Sequence, residues 1–139
     1  MSRETVPDLD AFRHLGDGRF PGALGVEVVE LEPGRSLMRL AIREDHLAPN
    51  GYLHAGAVMG LADSACGYGC VASLPEGARN FATIEAKTNF MGTALDGVIE
   101  CEARMVHGGR TTQVWDADVR VDHRTLALFR CTQLILYPG

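Results

Sequence analysis

His54-Ala55-Gly56-Ala57-Val58-Met59-Gly60-Leu61-Ala62-Asp63-Ser64-Ala65-Cys66-Gly67-Tyr68-Gly69-Cys70 is the stretch that decides the fold. It is long enough for a helix of about five turns at ~1.5 Å rise per residue. Nearly every position is small or apolar, with no polar face, which predicts a helix buried on most sides. Gly56, Gly60, Gly67 and Gly69 each cost ~0.8–1 kcal/mol relative to Ala in a helix interior. They are expected where another backbone approaches closely, as when a sheet wraps the helix. The one charge in the run is Asp63. A carboxylate on a buried helix is costly unless it is paired or has chemistry to do.

Outward from this stretch the chain reads as strands. Before it, Gly22 to Asp45 alternates as a hairpin, with turn chemistry at Glu32-Pro33-Gly34-Arg35. After it come four candidate strands, Phe81 to Met91, Gly97 to His107, Arg110 to Asp122 and Leu126 to Tyr137. On the first of these Thr83, Glu85, Lys87 and Asn89 are expected on one polar face. Pro7 to Leu15 is a short helix with Leu9, Phe12 and Leu15 as its stripe, either a lid on the sheet (residues 1–20) or part of a ligand pocket. One antiparallel sheet curling around one long helix is the hotdog arrangement, an α+β fold. The expectation is a single domain over residues 1–139. A sheet covered by one helix leaves edges exposed, which favours self-association.

Composition narrows the function. The formal net charge is −5, and Lys87 is the single lysine beside twelve arginines. There is no basic run to suggest nucleic acid, and no apolar run long enough for a bilayer. The expected setting is cytoplasmic, with no nucleic-acid or membrane partner. Cys66, Cys70, Cys101 and Cys131 lack metal-type spacing and read as buried reduced thiols, so no metal is expected.

The chemistry centres on two parts of the helix. Its N-terminus offers unpaired backbone N–H groups, and small Ala55 and Gly56 let a carbonyl oxygen reach them as in an oxyanion hole. Asp63 lies eight residues on, or ~12 Å along the axis. An oxyanion donor and a carboxylate serving one carbonyl must both lie close to it, so one helix cannot do both jobs. If Asp63 is catalytic, the site is shared between two subunits with antiparallel helices. An opposing helix N-terminus would lower the Asp63 pKa. His54 is either a cap or an orienting group for Asn50, and Asn50 either polarises a carbonyl or makes an Asn-Gly turn. Thr83 is either an ordinary strand residue or holds a hydrolytic water. In His107-Gly108-Gly109-Arg110-Thr111-Thr112, Gly109, Arg110 and Thr111 suit a phosphate, and a plain Gly-Gly hairpin turn fits them equally.

His54-Ala55-Gly56 followed by Leu61-Ala62-Asp63, nine positions from His to Asp, resembles the hotdog-fold acyl-CoA thioesterases of the PaaI-like branch and their 4-hydroxybenzoyl-CoA thioesterase relatives. Thr88-Asn89-Phe90-Met91, His107-Gly108-Gly109-Arg110 and Leu126-Ala127-Leu128-Phe129-Arg130 are similar to further motifs of that branch, over roughly Gly22 to Tyr137. The resemblance implies that Asp63 is nucleophile or general base and that the Ala55 amide is the oxyanion donor. It implies that Thr83 positions water and that Asn50 corresponds, in loose register, to a polar loop residue. Ala55 departs from the usual Gly. The implied reaction hydrolyses an aryl- or medium-chain acyl-CoA to acid and CoA. CoA is part of the substrate, and no cofactor is needed. The implied assembly is a homo-oligomer, a dimer with shared sites paired again as a dimer of dimers. Two other classes stay open, an acyl-CoA-binding sensor without catalysis and a hydratase using His54.

Overall fold

The structure is a computed structural model describing residues 8–139, so Pro7 lies outside the described residues. Helix α1 (Leu9–Leu15) starts at Asp8, whose side chain accepts from the amides of Asp10 and Ala11. It packs against the core, with Phe12 6.0 Å from Tyr68 between ring centroids and the Arg13 Nε donating to Val28 O. Leu9 and Phe12 are partly buried against the core, whereas Leu15 is exposed.

A second short helix, α2 (Phe20–Leu24), stands where the hairpin was expected to begin at Gly22. Pro21 opens it, and Gly25 closes it in the left-handed region at φ 91°. Five residues are too few to show a helical period, so the pattern gave no warning.

Then follow β1 (Glu27–Glu32), β2 (Arg35–Ala41), one 3-10 turn (Glu44–His46) and the long helix α3 (Ala55–Ala72). Strands β3 (Asn80–Phe90), β4 (Val98–Gly108), β5 (Thr112–Val121) and β6 (Arg124–Leu136) complete the chain. All pair antiparallel in one sheet, in the order β1-β2-β4-β5-β6-β3. The sheet's inner face covers α3, as an α+β hotdog requires. Met38, Leu40, Ile99, Trp115, Val119 and Leu126 form the fully buried inner layer. Ser36 Oγ donates to Ala65 O at 2.7 Å and ties β2 to the middle of the helix.

The helical glycines make room for side chains, where backbone had been expected. A Cβ on Gly69 would stand 2.6 Å from the Trp115 ring, and one on Gly67 3.1 Å from Phe81. A Cβ on Gly60 would meet Leu24 at 2.8 Å and Phe20 at 3.0 Å. The four cysteines are buried and free.

β3 is one of the two edge strands of the sheet, β1 being the other, and nearly all its residues are exposed. Ile84 (59%), Phe90 (45%) and neighbouring Met91 (54%) present apolar surface there. An unpaired, apolar edge of this length is a template for another strand.

Candidate active site

Asp63 is not in the buried part of α3. Ala55, Gly56, Met59 and Asp63 are exposed and form one stripe at i, i+4 spacing, while the rest of the helix down to Cys70 is mostly buried. The correction has a simple cause: small apolar residues read as core whether a sheet covers them or not. Protein on the helix side still withdraws water from the carboxylate, and this desolvation raises the Asp63 pKa above its ordinary 3.8. The chain by itself thus moves Asp63 opposite to the expected lowering, towards a stronger base.

The start of α3 is resolved atom by atom. His54 is the N-cap, and its Nδ1 accepts from the Gly56 amide at 2.7 Å. This makes the neutral Nε2–H form the bonded one. The amides of Ala57 and Val58 donate to His54 O. The Ala55 amide has no acceptor among the described residues. Of the two expected oxyanion donors, Gly56 is therefore spent on the cap. Its lack of a side chain serves that cap, since a Cβ would stand 2.9 Å from His54 Nδ1. Asn50 does not meet His54. Its Oδ1 accepts from the Tyr52 amide at 3.2 Å, and Gly51 follows at φ 90°, the turn alternative.

Thr83 is not on the face with Glu85, Lys87 and Asn89. The β3–β6 register shifts between Thr83 and Glu85, a bulge at Ile84. A bulge re-aims the side chains before it. Thr83 pairs with Gln133, a wholly buried residue, and so shares the inner face with Phe81. Its Oγ1 donates to Gln133 Oε1 at 2.6 Å. Strand β3 runs back along α3, from Phe81 over Gly67 towards the Leu53 amide, which bonds Ala94 O beyond the strand's end. From Phe81 to Thr83 is ~6.6 Å along the strand, and from Gly67 to Asp63 is ~6 Å along the helix. Thr83 therefore comes level with Asp63. Phe20 and Phe81, resting on Gly60 and Gly67, flank that turn of the helix.

The glycine turn after β4 closes a hairpin, with Gly108 paired to Gln113 across β4 and β5. Neither Gly108 nor Gly109 has a positive φ. The Gly109 amide donates to Thr112 O, and the Ile135 amide donates to Thr111 O. The Arg110 carbonyl accepts from Tyr137 Oη at 2.5 Å. The exposed Arg110 side chain has no ion-pair partner among the described residues. Among the described residues no group of three or more His, Cys, Asp or Glu side chains is placed to hold a metal ion, and no helix is long and apolar enough to cross a membrane.

Sequence reading missed Gln133 and Gln113, a cross-strand pair on the inner face. Gln113 Oε1 accepts from Trp115 Nε1 at 2.8 Å, and its Nε2 donates to Ser73 O at 2.9 Å. The signal was available: Gln133 is in phase with Phe129, Cys131 and Ile135 on β6, all facing inward.

The family model described as Thioesterase superfamily matches residues 50–128. A 1,4-dihydroxy-2-naphthoyl-CoA hydrolase of Listeria monocytogenes is 30% identical over 110 residues, spanning 78% of this chain and 89% of the relative. A solved variant of the phenylacetic acid degradation protein PaaI from Thermus thermophilus is 28% identical with a TM-score of 0.78, covering 84% of this chain and 98% of that one. A solved thioesterase variant from Pseudomonas aeruginosa shares the fold at a TM-score of 0.89 and 23% identity, over 95% of this chain and 96% of that one.

Proposed function

The chain belongs to the hotdog-fold thioesterase superfamily and is a thioester hydrolase of its PaaI-like branch; we propose that it cleaves an aromatic acyl-CoA at a site shared by two copies. The observation that carries this reading is the pairing of a free Ala55 amide with an exposed Asp63, ~12 Å apart on one helix stripe. A second copy docked along the open β3 edge, its α3 antiparallel, brings one chain's Ala55 amide to the other's Asp63. The dimer then holds two identical sites and can pair again through its sheets.

In this mechanism Asp63 acts as general base. It takes a proton from water while the water oxygen attacks the thioester carbonyl carbon. The carbonyl oxygen becomes an oxyanion, held by the Ala55 amide and the positive end of that helix. Collapse expels the CoA thiolate, which takes the proton back from Asp63. Water has been added across the C–S bond, giving acid and thiol. Thr83 holds the water beside Asp63, and His54 keeps the helix start in order. Asn50 shapes the loop before it through its turn, and Gly56 admits the cap. Arg110, with Gly109 and Thr111 shaping its turn, meets the CoA phosphates.

Phe20, Met59 and Phe81 give the acyl group aromatic and thioether walls, which favours a planar ring. The aromatic CoA ester named for the Listeria relative supports the same choice. Four buried reduced thiols suit a reducing, cytoplasmic setting.

The test is CoA release from benzoyl-, phenylacetyl-, naphthoyl-, hexanoyl- and decanoyl-CoA, wild type beside Asp63→Asn. Turnover on the aromatic esters, lost in the variant, is the expected result. Tight binding of these esters with no release would contradict hydrolysis and leave a sensor. Preference for decanoyl-CoA would contradict the aromatic pocket.

A further inference from the structure

Gln133 on β6 is wholly buried, yet only one end of its amide is satisfied. Its Oε1 accepts from Thr83 Oγ1 at 2.6 Å, and its Nε2 has no partner among the described residues. Folding would be relieved of an unsatisfied buried donor if this residue were apolar. The neighbouring Gln113 shows the contrast, since both ends of its amide are bonded to Trp115 and Ser73. Gln133 therefore sits where its one bond, to Thr83, has to justify an incompletely paired amide.

That bond has a direction. A threonine hydroxyl carries one proton, and here it points inward to Gln133. The lone pairs of Oγ1 remain able to accept, on a strand that runs back along α3 with Thr83 about level with Asp63. We infer that Gln133 is a positioning residue for the hydrolytic water, because it makes Thr83 a pure acceptor. A water that gives one hydrogen to Thr83 Oγ1 and the other to the Asp63 carboxylate has both hydrogens held. Its lone pairs are then turned towards the thioester carbon. Asp63 removes the hydrogen it holds as the carbon–oxygen bond forms. With Thr83 free to donate, the water could equally present a lone pair to the hydroxyl and turn away from the ester. The bulge at Ile84 is part of the device, because it sets Thr83 on the inner face opposite Gln133.

This inference rests on the hydrolase reading above, and the test separates the two. The variants are Gln133→Met, which keeps the volume and removes the acceptor, Thr83→Val, which removes the hydroxyl, and the double variant. Each is assayed on the fastest ester of the panel, with melting temperature alongside. Gln133→Met is expected to lose about tenfold in kcat with KM unchanged, and to melt no lower than wild type. A merely structural glutamine would lower the melting temperature as well. The double variant is expected to be no slower than Thr83→Val alone, since both act through one water. An active wild type with an equally fast Gln133→Met, or single losses that multiply in the double variant, overturns the inference alone. A wild type that hydrolyses none of the five esters overturns the hydrolase reading and this inference with it.

Discussion

Ala55 and Asp63 stand about two turns apart on one solvent-facing stripe of α3, with Met59 between them. The helix offers a free amide at its start and a carboxylate in its middle. Its geometry keeps the two from ever meeting the same carbonyl within one chain. Much of what can be tested follows from that separation.

Ala55→Pro isolates the amide. Proline lacks the N–H yet is well tolerated at the first helical position. His54, at φ −67° and ψ 135°, already has the backbone that precedes a proline. The variant is expected to keep its helical circular dichroism and lose ~100- to 1,000-fold in kcat, the usual effect of removing an oxyanion donor. Unchanged kcat would place the oxyanion elsewhere.

The pH profile tests Asp63. Desolvation raises its pKa above 3.8, and catalysis needs the carboxylate. The kcat/KM should therefore fall on the acid side, with burial moving the midpoint up and the partner's helix start at the shared site opposing it. The linkage to stability has the opposite sign. A carboxyl whose pKa is raised by folding binds its proton more tightly in the native state. It costs stability as pH climbs through the ordinary and then the raised pKa. Asp63→Asn should thus lose at least ~100-fold in turnover while melting no lower than wild type at pH 7. A kcat/KM that stays level on the acid side would contradict a carboxylate base.

Gly69 faces the Trp115 ring, which would stand 2.6 Å from an added Cβ. Helix propensity alone favours alanine by ~0.8–1 kcal/mol. Overpacking a closed core costs ~1–3 kcal/mol and should win. Gly69→Ala is expected to lower the denaturant midpoint with an unchanged m-value, and a rise in midpoint would show that the indole moves aside.

The four thiols bear on the assay itself. All are buried; burial pushes Cys70 up to about 12 and raises Cys101 above the ordinary thiol range, and the hydrogen bond with Cys131, followed by burial, raises Cys66. Thiolate is the reactive form. At pH 8 the native protein should therefore react negligibly with a disulfide thiol reagent, and all four should react after unfolding. Fast native labelling would show that the core opens readily.

How legible the molecule was depends on the length scale of each feature. α3 and the longer strands carry their period in many residues, so the central helix and the hotdog order could be read directly. α2 has five residues and no period. The bulge at Ile84 adds one residue without any change of composition, yet it alone moves Thr83 to the face of Gln133. Whether Ala55, Gly56 and Met59 lie in a core or on an open stripe depends on what covers them, which residue type does not encode. Which amide at the helix start stays free was settled by the His54 ring, through a 2.7 Å bond to Gly56.

The most direct measurement of the shared site mixes two inactive chains. Ala55→Pro protein and Asp63→Asn protein are unfolded together, refolded at equal concentrations and assayed on the fastest ester. In a mixed dimer one site has Asp63 from the first chain and the Ala55 amide from the second, and the other site lacks both. Random pairing should then restore about a quarter of wild-type turnover, one intact site in half of the dimers. Activity that stays at the level of the two parents would contradict a site built from Ala55 of one chain and Asp63 of the other.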